Sequence, residues 1–159
     1  MGDDVIIEKI SDIRTLGDFV RKFDDSAPRP VSSRVETLDG YIEKLANHAE
    51  NYCIIKNSEV AGFLSFYANR KDEAYLSMIA VDKACKRMGI GSTLLYFALG
   101  EVSRKGIPCF KLEVDNNNTS AIAFYKKHGF IEGDPVSDVS IHMRKDIVRQ
   151  YEEVSCETI

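Results

Sequence analysis

A glycine-rich segment between a strand pattern and a helix pattern constrains this chain more than any other feature. The residues from Ala74 to Val81 are largely apolar and favour a strand, and apolar residues recur at the spacing of a helix face after the glycines. Glycines let a ligand approach the main chain, and the first amides of a helix attract anions because they lack intrahelical partners. The segment therefore predicts a loop that binds a pyrophosphate with its backbone. It reads Lys86-Arg87-Met88-Gly89-Ile90-Gly91-Ser92.

Two well-known glycine loops do not fit this segment. A P-loop requires a lysine directly after its last glycine, whereas Gly91 is followed by Ser92 and Thr93. The dinucleotide-binding loop requires a third glycine where this chain has Leu94. A tight strand-to-helix turn that is solvated by its lysines and binds nothing is the other interpretation of the segment.

The length and charge of the chain suit a single domain that does not bind nucleic acid. Its 159 residues are 44% hydrophobic, which is enough for one core. We expect one domain over residues 1–146 and a polar C-terminal tail over 147–159. The net charge of −4 argues against general nucleic-acid binding, which depends on neutralising phosphates.

The cysteines and histidines do not indicate a metal site. The four cysteines form no Cys-x-x-Cys pair and have no histidine at ligand spacing. No apolar run is long enough for a membrane span, and the acidic start has no signal-peptide pattern. We therefore expect a cytoplasmic protein with reduced thiols, no metal and no membrane partner.

Hydrophobic periodicity predicts a strand, two helices, three strands, a helix, a strand, a helix and two last strands. Ser11 is the expected N-cap of the first helix, and Asn57-Ser58 is the expected turn of a hairpin over residues 52–67. Gly106 is the expected C-cap of the helix that follows the glycine loop. Asn118 is the expected N-cap of the last helix, which Gly129 closes. Because hairpins and crossovers both occur, we predict an α/β fold with a mixed sheet flanked by helices.

A second motif lies downstream of the glycine loop. Asn118, Ala121, Tyr125, Gly129 and Phe130 follow the pattern Asn-x-x-Ala-x-x-x-Tyr-x-x-x-Gly-Phe. Together with Lys86-x-x-Gly89-x-Gly91, this pattern resembles the GNAT superfamily of acyl-CoA N-acyltransferases. The resemblance is clear over residues 74–131, and the order of elements agrees over 5–145. It implies a mostly antiparallel central sheet, and it departs from the family where Lys86 replaces the usual arginine or glutamine.

The resemblance implies acetyl-CoA as the cosubstrate. Its pyrophosphate would lie on the loop from Lys86 to Ser92, and its pantetheine arm would pair with the backbone of Ile79 and Val81 on the preceding strand. Asn118 would reach the pantetheine or its phosphates. For Asn118, a plain helix cap is the alternative, and one residue can do both.

The same resemblance suggests two catalytic residues. Tyr125 would protonate the departing thiolate, since a phenol with a pKa of about 10 keeps its proton at neutral pH. Glu113 would take the proton of the attacking amine, as the matching glutamate is thought to do in ribosomal-protein N-terminal acetyltransferases. The alternatives are a core aromatic for Tyr125 and a solvent-facing or ion-paired glutamate for Glu113.

The predicted function is direct transfer of an acetyl group from acetyl-CoA to a primary amine on a small molecule or a protein. A catalytically silent acyl-CoA sensor or interaction module is the alternative. The loop from Asp24 to Arg34 would line the acceptor site, where its acids favour a cationic amine and its arginines favour an anionic group. The alternative is that this loop is solvated and binds no acceptor. Homodimers are common in this superfamily, but the sequence does not indicate which residues would form the interface.

Overall fold

The computed structural model describes residues 4–24 and 29–147, and it confirms the predicted order of elements. Short 3-10 turns at Val31–Ser33 and Lys83–Cys85 were not predicted. The helices and strands are β1 (Val5–Lys9), α1 (Ile13–Phe23), α2 (Leu38–His48), β2 (Glu50–Lys56), β3 (Glu59–Tyr67), β4 (Ala74–Val81), α3 (Ile90–Arg104), β5 (Cys109–Asp115), α4 (Thr119–Lys127), β6 (Ile131–Pro135) and β7 (Ser140–Asp146).

The fold is mixed α/β, with a seven-stranded, mostly antiparallel sheet in the order β1-β2-β3-β4-β5-β7-β6. The pairs β1/β2, β2/β3, β5/β7 and β6/β7 are antiparallel. The chain divides into two compact units, and β4 contributes residues to both. The first unit comprises Met1–Tyr67 and Leu76–Phe97, and the second comprises Ala68–Tyr75 and Ala98–Ile159.

In the first unit, α1 and α2 pack on one face of the strands. The aromatic rings of Phe19 and Phe63 stack with centroids 5.9 Å apart. Burying such side chains contributes roughly 1.5–3 kcal/mol each and fixes the helices on the sheet. The buried members of this core are Ile10, Leu16, Val20, Phe23, Val31, Ile42, Leu45, Cys53, Phe63, Met78 and Ala80.

The hairpin of β2 and β3 sets the place where the glycine loop begins. Its turn residues Asn57 and Ser58 both have positive φ, which matches the twist of two-residue hairpins. The register shifts so that Ala61 has no partner on β2, which is a β-bulge. The bulged Ala61 carbonyl accepts a hydrogen bond from the amide of Asp82, the first residue after β4, at 2.8 Å.

The same bulge explains Gly62. A Cβ built there would lie 2.7 Å from the carbonyl oxygen of Ala80 and 3.1 Å from Leu94. The close approach keeps β3, β4 and the start of α3 tightly packed, so a side chain at this position would have to displace backbone.

In the second unit, β7 pairs with both β5 and β6. The side chains of β5 alternate, with Phe110, Leu112 and Val114 buried and Lys111 and Glu113 half-buried. The register places Glu113 opposite His142 and Asp115 opposite Ser140. Helix α4 returns the chain to β6 through Gly129, whose φ of +90° is the left-handed conformation that favours glycine.

The predicted start of α1 was wrong by one residue. Asp12, not Ser11, is the N-cap, and its Oδ2 accepts from the amide of Thr15 at 3.0 Å and from the Thr15 hydroxyl at 2.9 Å. Both residue types are preferred N-caps, but the carboxylate gains two hydrogen bonds here. The predicted caps at Asn118 and Gly106 are confirmed, the latter with a φ of +74°.

Two predicted features lie largely outside the described residues. They are the polar tail, beyond residue 147, and the part of the acceptor loop from residue 25 to 28. Within the described part of the chain, no helix has the length and apolar character to cross a membrane.

Candidate active site

The glycine loop begins from an anchored turn. The Asp82 carboxylate accepts from the Ala84 amide at 3.0 Å, and the Asp82 carbonyl accepts from the Cys85 amide at 2.8 Å. The Lys22 ammonium lies 3.6 Å from the other Asp82 oxygen. The turn that precedes the glycines is therefore fixed to β3, to α1 and to itself.

Beyond this turn, the backbone alternates in handedness. Arg87 and Gly89 have φ of +68° and +78°, whereas Met88 between them is not in the positive range. Alternation of this kind turns successive N–H groups toward one side and forms an anion-binding concavity. Gly89 adopts its conformation without strain, and Arg87 is a non-glycine residue in the same region, which is a feature enriched at functional sites.

The first amides of α3 are available to a ligand. The Gly89 carbonyl accepts from both the amide and the hydroxyl of Thr93, at 3.0 and 2.9 Å, which is the first hydrogen bond of the helix. Among the residues that the structure describes, the amides of 87–92 donate to no protein acceptor. The N-terminal end of a helix dipole adds positive potential at the same place.

The side chains of the loop divide into cations and an anchor. Lys86, Arg87, Met88 and Gly89 are exposed, and Gly91 and Ser92 are half-buried. Ile90 is buried at 4% exposure and holds the loop on the core. The predicted loop residues are therefore brought together, with cations at the rim and amides at the centre.

On β4, Ile79 and Val81 occupy the half-buried face, whereas Met78 and Ala80 point into the core. Ser77 shares the face of Ile79, and its hydroxyl lies 2.8 Å from the hydroxyl of Tyr41 on α2. Burial raises the pKa of the Tyr41 phenol, and the Ser77 hydrogen bond acts in the opposite direction. The sequence gives no sign of this pair, because its members are 36 positions apart in the chain.

Asn118 does what a helix cap does. Its Oδ1 accepts from the Ala121 amide at 3.3 Å and from the Ser120 hydroxyl at 3.3 Å. Its side-chain oxygen is thus used within α4.

Tyr125 lies about two turns along α4 from Asn118 and is buried at 8% exposure. Its ring makes edge contacts with Phe124 and Phe130, at centroid distances of 5.3 and 5.6 Å. Burial raises the pKa of the Tyr125 phenol well above its ordinary value, because an apolar environment disfavours the phenolate. The phenol is therefore a proton donor over the physiological pH range.

Glu113 is tied to a residue that the sequence did not indicate. The Ser140 hydroxyl donates to Oε2 of Glu113 at 2.7 Å, and Ser140 is fully buried. Glu113 is half-buried, and among the described residues no lysine pairs with its carboxylate. A period-2 polar pattern at Ser140, His142 and Arg144 was the available signal, but it gives no partner without the register of β5 and β7.

Tyr125 and Glu113 belong to opposite faces of β5. Phe130 contacts both Tyr125 and Phe110, and the Phe110 face of β5 alternates with the face of Glu113. The structure therefore does not bring these two side chains into mutual contact.

Near the predicted acceptor loop, the carboxylate of Asp24 is occupied. It accepts from the amide and the hydroxyl of Ser32, at 2.9 and 2.7 Å. Arg34 is exposed and acts electrostatically on Tyr41. Among the described residues, no group of histidine, cysteine and acidic side chains is arranged to hold a metal ion.

These features coincide with a family-wide sequence pattern. Residues 17–130 match the model of the Acetyltransferase (GNAT) family, so the chain belongs to this family.

One relative by sequence and two solved structures illustrate the match. The [Ribosomal protein bS18]-alanine N-acetyltransferase of Escherichia coli K12 is 37% identical over 82 residues, which cover 52% of this chain and 55% of that protein. This chain thus matches about half the length of that curated relative. The crystal structure of the ribosomal-protein-S18-alanine N-acetyltransferase from Escherichia coli has a TM-score of 0.72 and 25% identity, covering 91% of this chain and 94% of the other. The PaiA N-acetyltransferase of Thermoplasma acidophilum, solved with coenzyme A, shares the fold with a TM-score of 0.70 and 22% identity over 90% and 99% of the two chains.

Proposed function

We propose that this protein is an N-acetyltransferase that moves the acetyl group of acetyl-CoA directly to a primary amine. The observation that carries the proposal is the start of α3, where a family-typical glycine loop presents amides that donate to no acceptor among the described residues. A protein of the same fold has been solved with coenzyme A, which supports the choice of cosubstrate.

In this proposal the loop from Lys86 to Ser92 binds the diphosphate of acetyl-CoA. The amides of Gly89 to Ser92 donate to its oxygens, and Lys86 and Arg87 supply positive charge at the rim. Ile79 and Val81, at the end of β4, offer backbone groups to the pantetheine amides. Asn118 contributes its side-chain NH₂, since its Oδ1 already caps α4.

The reaction balances without a covalent enzyme intermediate. The amine nitrogen attacks the thioester carbonyl carbon, the carbon–sulfur bond breaks, and the products are an amide and free coenzyme A. Glu113 accepts the proton that the amine loses, and Tyr125 donates a proton to the departing thiolate. A cysteine-based route finds no support in the surroundings of Cys109, because burial raises the pKa of that thiol.

The raised pKa of Tyr125 is compatible with the role of an acid. A buried phenol is a weaker acid than an exposed one, but the same desolvation makes a buried thiolate a stronger base. In water a thiol of pKa about 8.5 is the stronger acid of the two, so proton transfer from Tyr125 depends on that desolvation of the thiolate.

For the acceptor, we propose the α-amine of a peptide or protein as the first class to test. The supporting observation is the likeness to an alanine N-acetyltransferase over half of that relative's length. A small-molecule amine is the second class. A cytoplasmic location is proposed on the free thiols of Cys53, Cys85 and Cys109, which suit a reducing compartment. A homodimer stays a prediction.

The test is a thiol-release assay with acetyl-CoA and a panel of amines. The panel contains a hexapeptide with N-terminal alanine, the same peptide with an acetylated N-terminus, free lysine and an aminoglycoside. We expect free thiol in proportion to acetylated product, and loss of the signal with the blocked peptide. Binding of coenzyme A without thiol release on any amine would favour the silent sensor.

The same assay tests the proposed base. Glu113→Gln is expected to reduce kcat by about a hundredfold at pH 7, since general-base catalysis contributes about 10²–10⁴. The deficit shrinks as the pH approaches the pKa of the amine, because the deprotonated amine then needs no base. An unchanged pH–rate profile would remove Glu113 from the mechanism.

A further inference from the structure

A chain of hydrogen bonds in the turn between β6 and β7 ends on the carboxylate of Glu113. We propose that Ser140 is a positioning residue, which fixes one oxygen of Glu113 so that the other can take the proton of the amine. The inference rests on the proposed function, because it assigns a partner to the base of that reaction.

The direction of the chain follows from the chemistry of its last member. A carboxylate only accepts hydrogen bonds. The Ser140 hydroxyl therefore donates its one hydrogen to Oε2 of Glu113, at 2.7 Å. The Ser137 hydroxyl lies 3.2 Å from the Ser140 oxygen and must therefore be the donor of that pair. The Val139 amide donates in turn to the Ser137 oxygen at 3.2 Å.

Each link of this chain polarises the next toward the carboxylate. Aligned hydrogen bonds strengthen one another, and bonds to charged groups are stronger than neutral ones. The strongest link is the one at Glu113, where the acceptor is ionised and the donor is fully buried.

The turn that carries the two serines is itself held in place. The amides of Val136 and Ser137 donate to the Ser140 carbonyl at 2.9 and 3.3 Å. The Asn116 amide donates to the Val139 carbonyl at 2.8 Å, and its side-chain NH₂ donates to the Asp138 carbonyl at 3.1 Å. Since Asn116 follows β5 directly, these bonds tie the serine turn to the strand that bears Glu113.

The consequence for catalysis concerns the second oxygen. Among the described residues, no other hydrogen bond reaches the Glu113 carboxylate, so Oε1 remains able to accept a proton. A long glutamate side chain loses about 1.5–2 kcal/mol of rotamer freedom when it is fixed. Ser140 has already imposed that restriction before the amine arrives, which is the benefit of preorganisation.

The experiment measures kcat and KM of wild type, Ser140→Ala, Ser137→Ala, Glu113→Gln and the Ser140→Ala/Glu113→Gln double variant, with the best amine of the panel. Ser65→Ala is the matched control, because Ser65 is equally buried and its hydroxyl donates to Asn51 at 2.6 Å in the first unit. Thermal melting and coenzyme A calorimetry confirm that every variant is folded.

We expect Ser140→Ala to lower kcat about tenfold, with the KM for acetyl-CoA unchanged, because a misplaced base loses part of its contribution of about 10²–10⁴. Ser137→Ala lowers kcat about threefold, since it removes only the polarising link. Ser65→Ala stays within about twofold of wild type. In the Glu113→Gln background, Ser140→Ala has no further effect, because two residues that act as one unit are not additive.

Two results would overturn the inference. One is a Ser140→Ala kcat within twofold of the Ser65→Ala value, and the other is the same fold-loss with and without Glu113. If Glu113→Gln lowers kcat and Ser140→Ala does not, Glu113 remains the proposed base and Ser140 does not position it. If Glu113→Gln matches wild type, or no amine is acetylated, the proposed function and this inference fail together.

Discussion

Helices α3 and α4 begin in opposite ways. Before α4, Asn118 closes on the Ala121 amide at 3.3 Å and satisfies one of the unpaired donors within the protein. Before α3, Gly89 has no side chain with which to do so. Helices α1 and α2 follow the pattern of α4, since Asp12 and Thr37 cap the amides of Thr15 and Gly40.

The difference shows where local stability is given up for binding. A glycine at the N-cap in place of Asn, Asp or Ser costs a helix only a few tenths of a kcal/mol, and the start of α3 bears that cost in the absence of a ligand. Burial on the later turns offsets it, because Leu94, Leu95, Ala98 and Val102 are fully buried. A well-anchored helix can therefore leave its first amides to an anion, and a short exposed helix such as α4 cannot.

The largest expected effect concerns α4, the helix that Asn118 caps and that carries the proposed acid Tyr125. Tyr125→Phe removes the phenol proton and keeps the ring contacts with Phe124 and Phe130. We expect kcat to fall about a hundredfold, the lower end for general acid catalysis. The dissociation constant of coenzyme A, measured by calorimetry, stays unchanged. A kcat equal to wild type would return Tyr125 to the role of a core aromatic.

The next largest effect concerns the uncapped start of α3 and its affinity for coenzyme A. Gly91→Asp places a carboxylate in the first turn, where it favours the helix dipole but repels a diphosphate. We expect the dissociation constant of coenzyme A to rise about thirtyfold, a cost of about 2 kcal/mol that is typical of opposed like charges.

Gly100→Asp is the matched control for this variant. It lies in the same helix, and an added Cβ there meets nothing within 4 Å. It should leave coenzyme A binding unchanged. Equal binding by Gly91→Asp and Gly100→Asp would mean that the start of α3 does not bind the diphosphate.

A third prediction concerns the alkaline stability that Tyr125 imposes. Because burial raises the pKa of this phenol above its unfolded value of about 10, the folded protein keeps a proton that the unfolded chain releases. The contribution of this phenol to the free energy of unfolding is therefore constant below about pH 10. Above about pH 10 the free energy of unfolding falls by about 1.4 kcal/mol per pH unit. Denaturation of wild type and Tyr125→Phe between pH 9 and 11 checks this.

The phenylalanine variant should lose less stability over that range. Tyr41→Phe is the comparison, since burial also raises the pKa of the Tyr41 phenol. Parallel pH curves for wild type and Tyr125→Phe would contradict the burial of an un-ionised phenol at position 125.

The smallest effect separates the two roles of Asn118. Asn118→Ala removes the cap and should cost about 1 kcal/mol, whereas Asn118→Ser restores most of it. If Asn118 also donates to the pantetheine, the KM for acetyl-CoA rises about threefold in both variants, as for one lost neutral hydrogen bond. A wild-type KM in Asn118→Ser would leave the residue with the cap alone.

The sequence predicted those features that depend on neighbours in the chain. The predicted caps at Asn118 and Gly106 were correct because the residues within one turn of the helix determine a cap. The predicted hairpin turn at Asn57-Ser58 was correct because a two-residue turn fixes its own geometry. Ser11 was wrong because it adjoins a second good cap, and only the Thr15 hydroxyl favours Asp12.

Features that depend on distant pairing were not predictable. The Ser140–Glu113 hydrogen bond joins residues 27 positions apart and requires the register of β7 on β5. The bulge at Ala61, which anchors Asp82, requires the pairing of β2 with β3. The Tyr41–Ser77 contact joins a helix to a strand across 36 positions. The glycine pattern indicated the loop, but not these supports.

The most direct test of the account compares two ligands by calorimetry on the wild-type protein. Coenzyme A carries the diphosphate and a 3′-phosphorylated adenosine, and pantetheine carries the same thiol arm without either. If the amides at the start of α3 bind the diphosphate, coenzyme A binds about a hundredfold more tightly, and Gly91→Asp removes most of that difference. Equal affinity for the two ligands would contradict the account, because the glycine loop would then contribute nothing to binding.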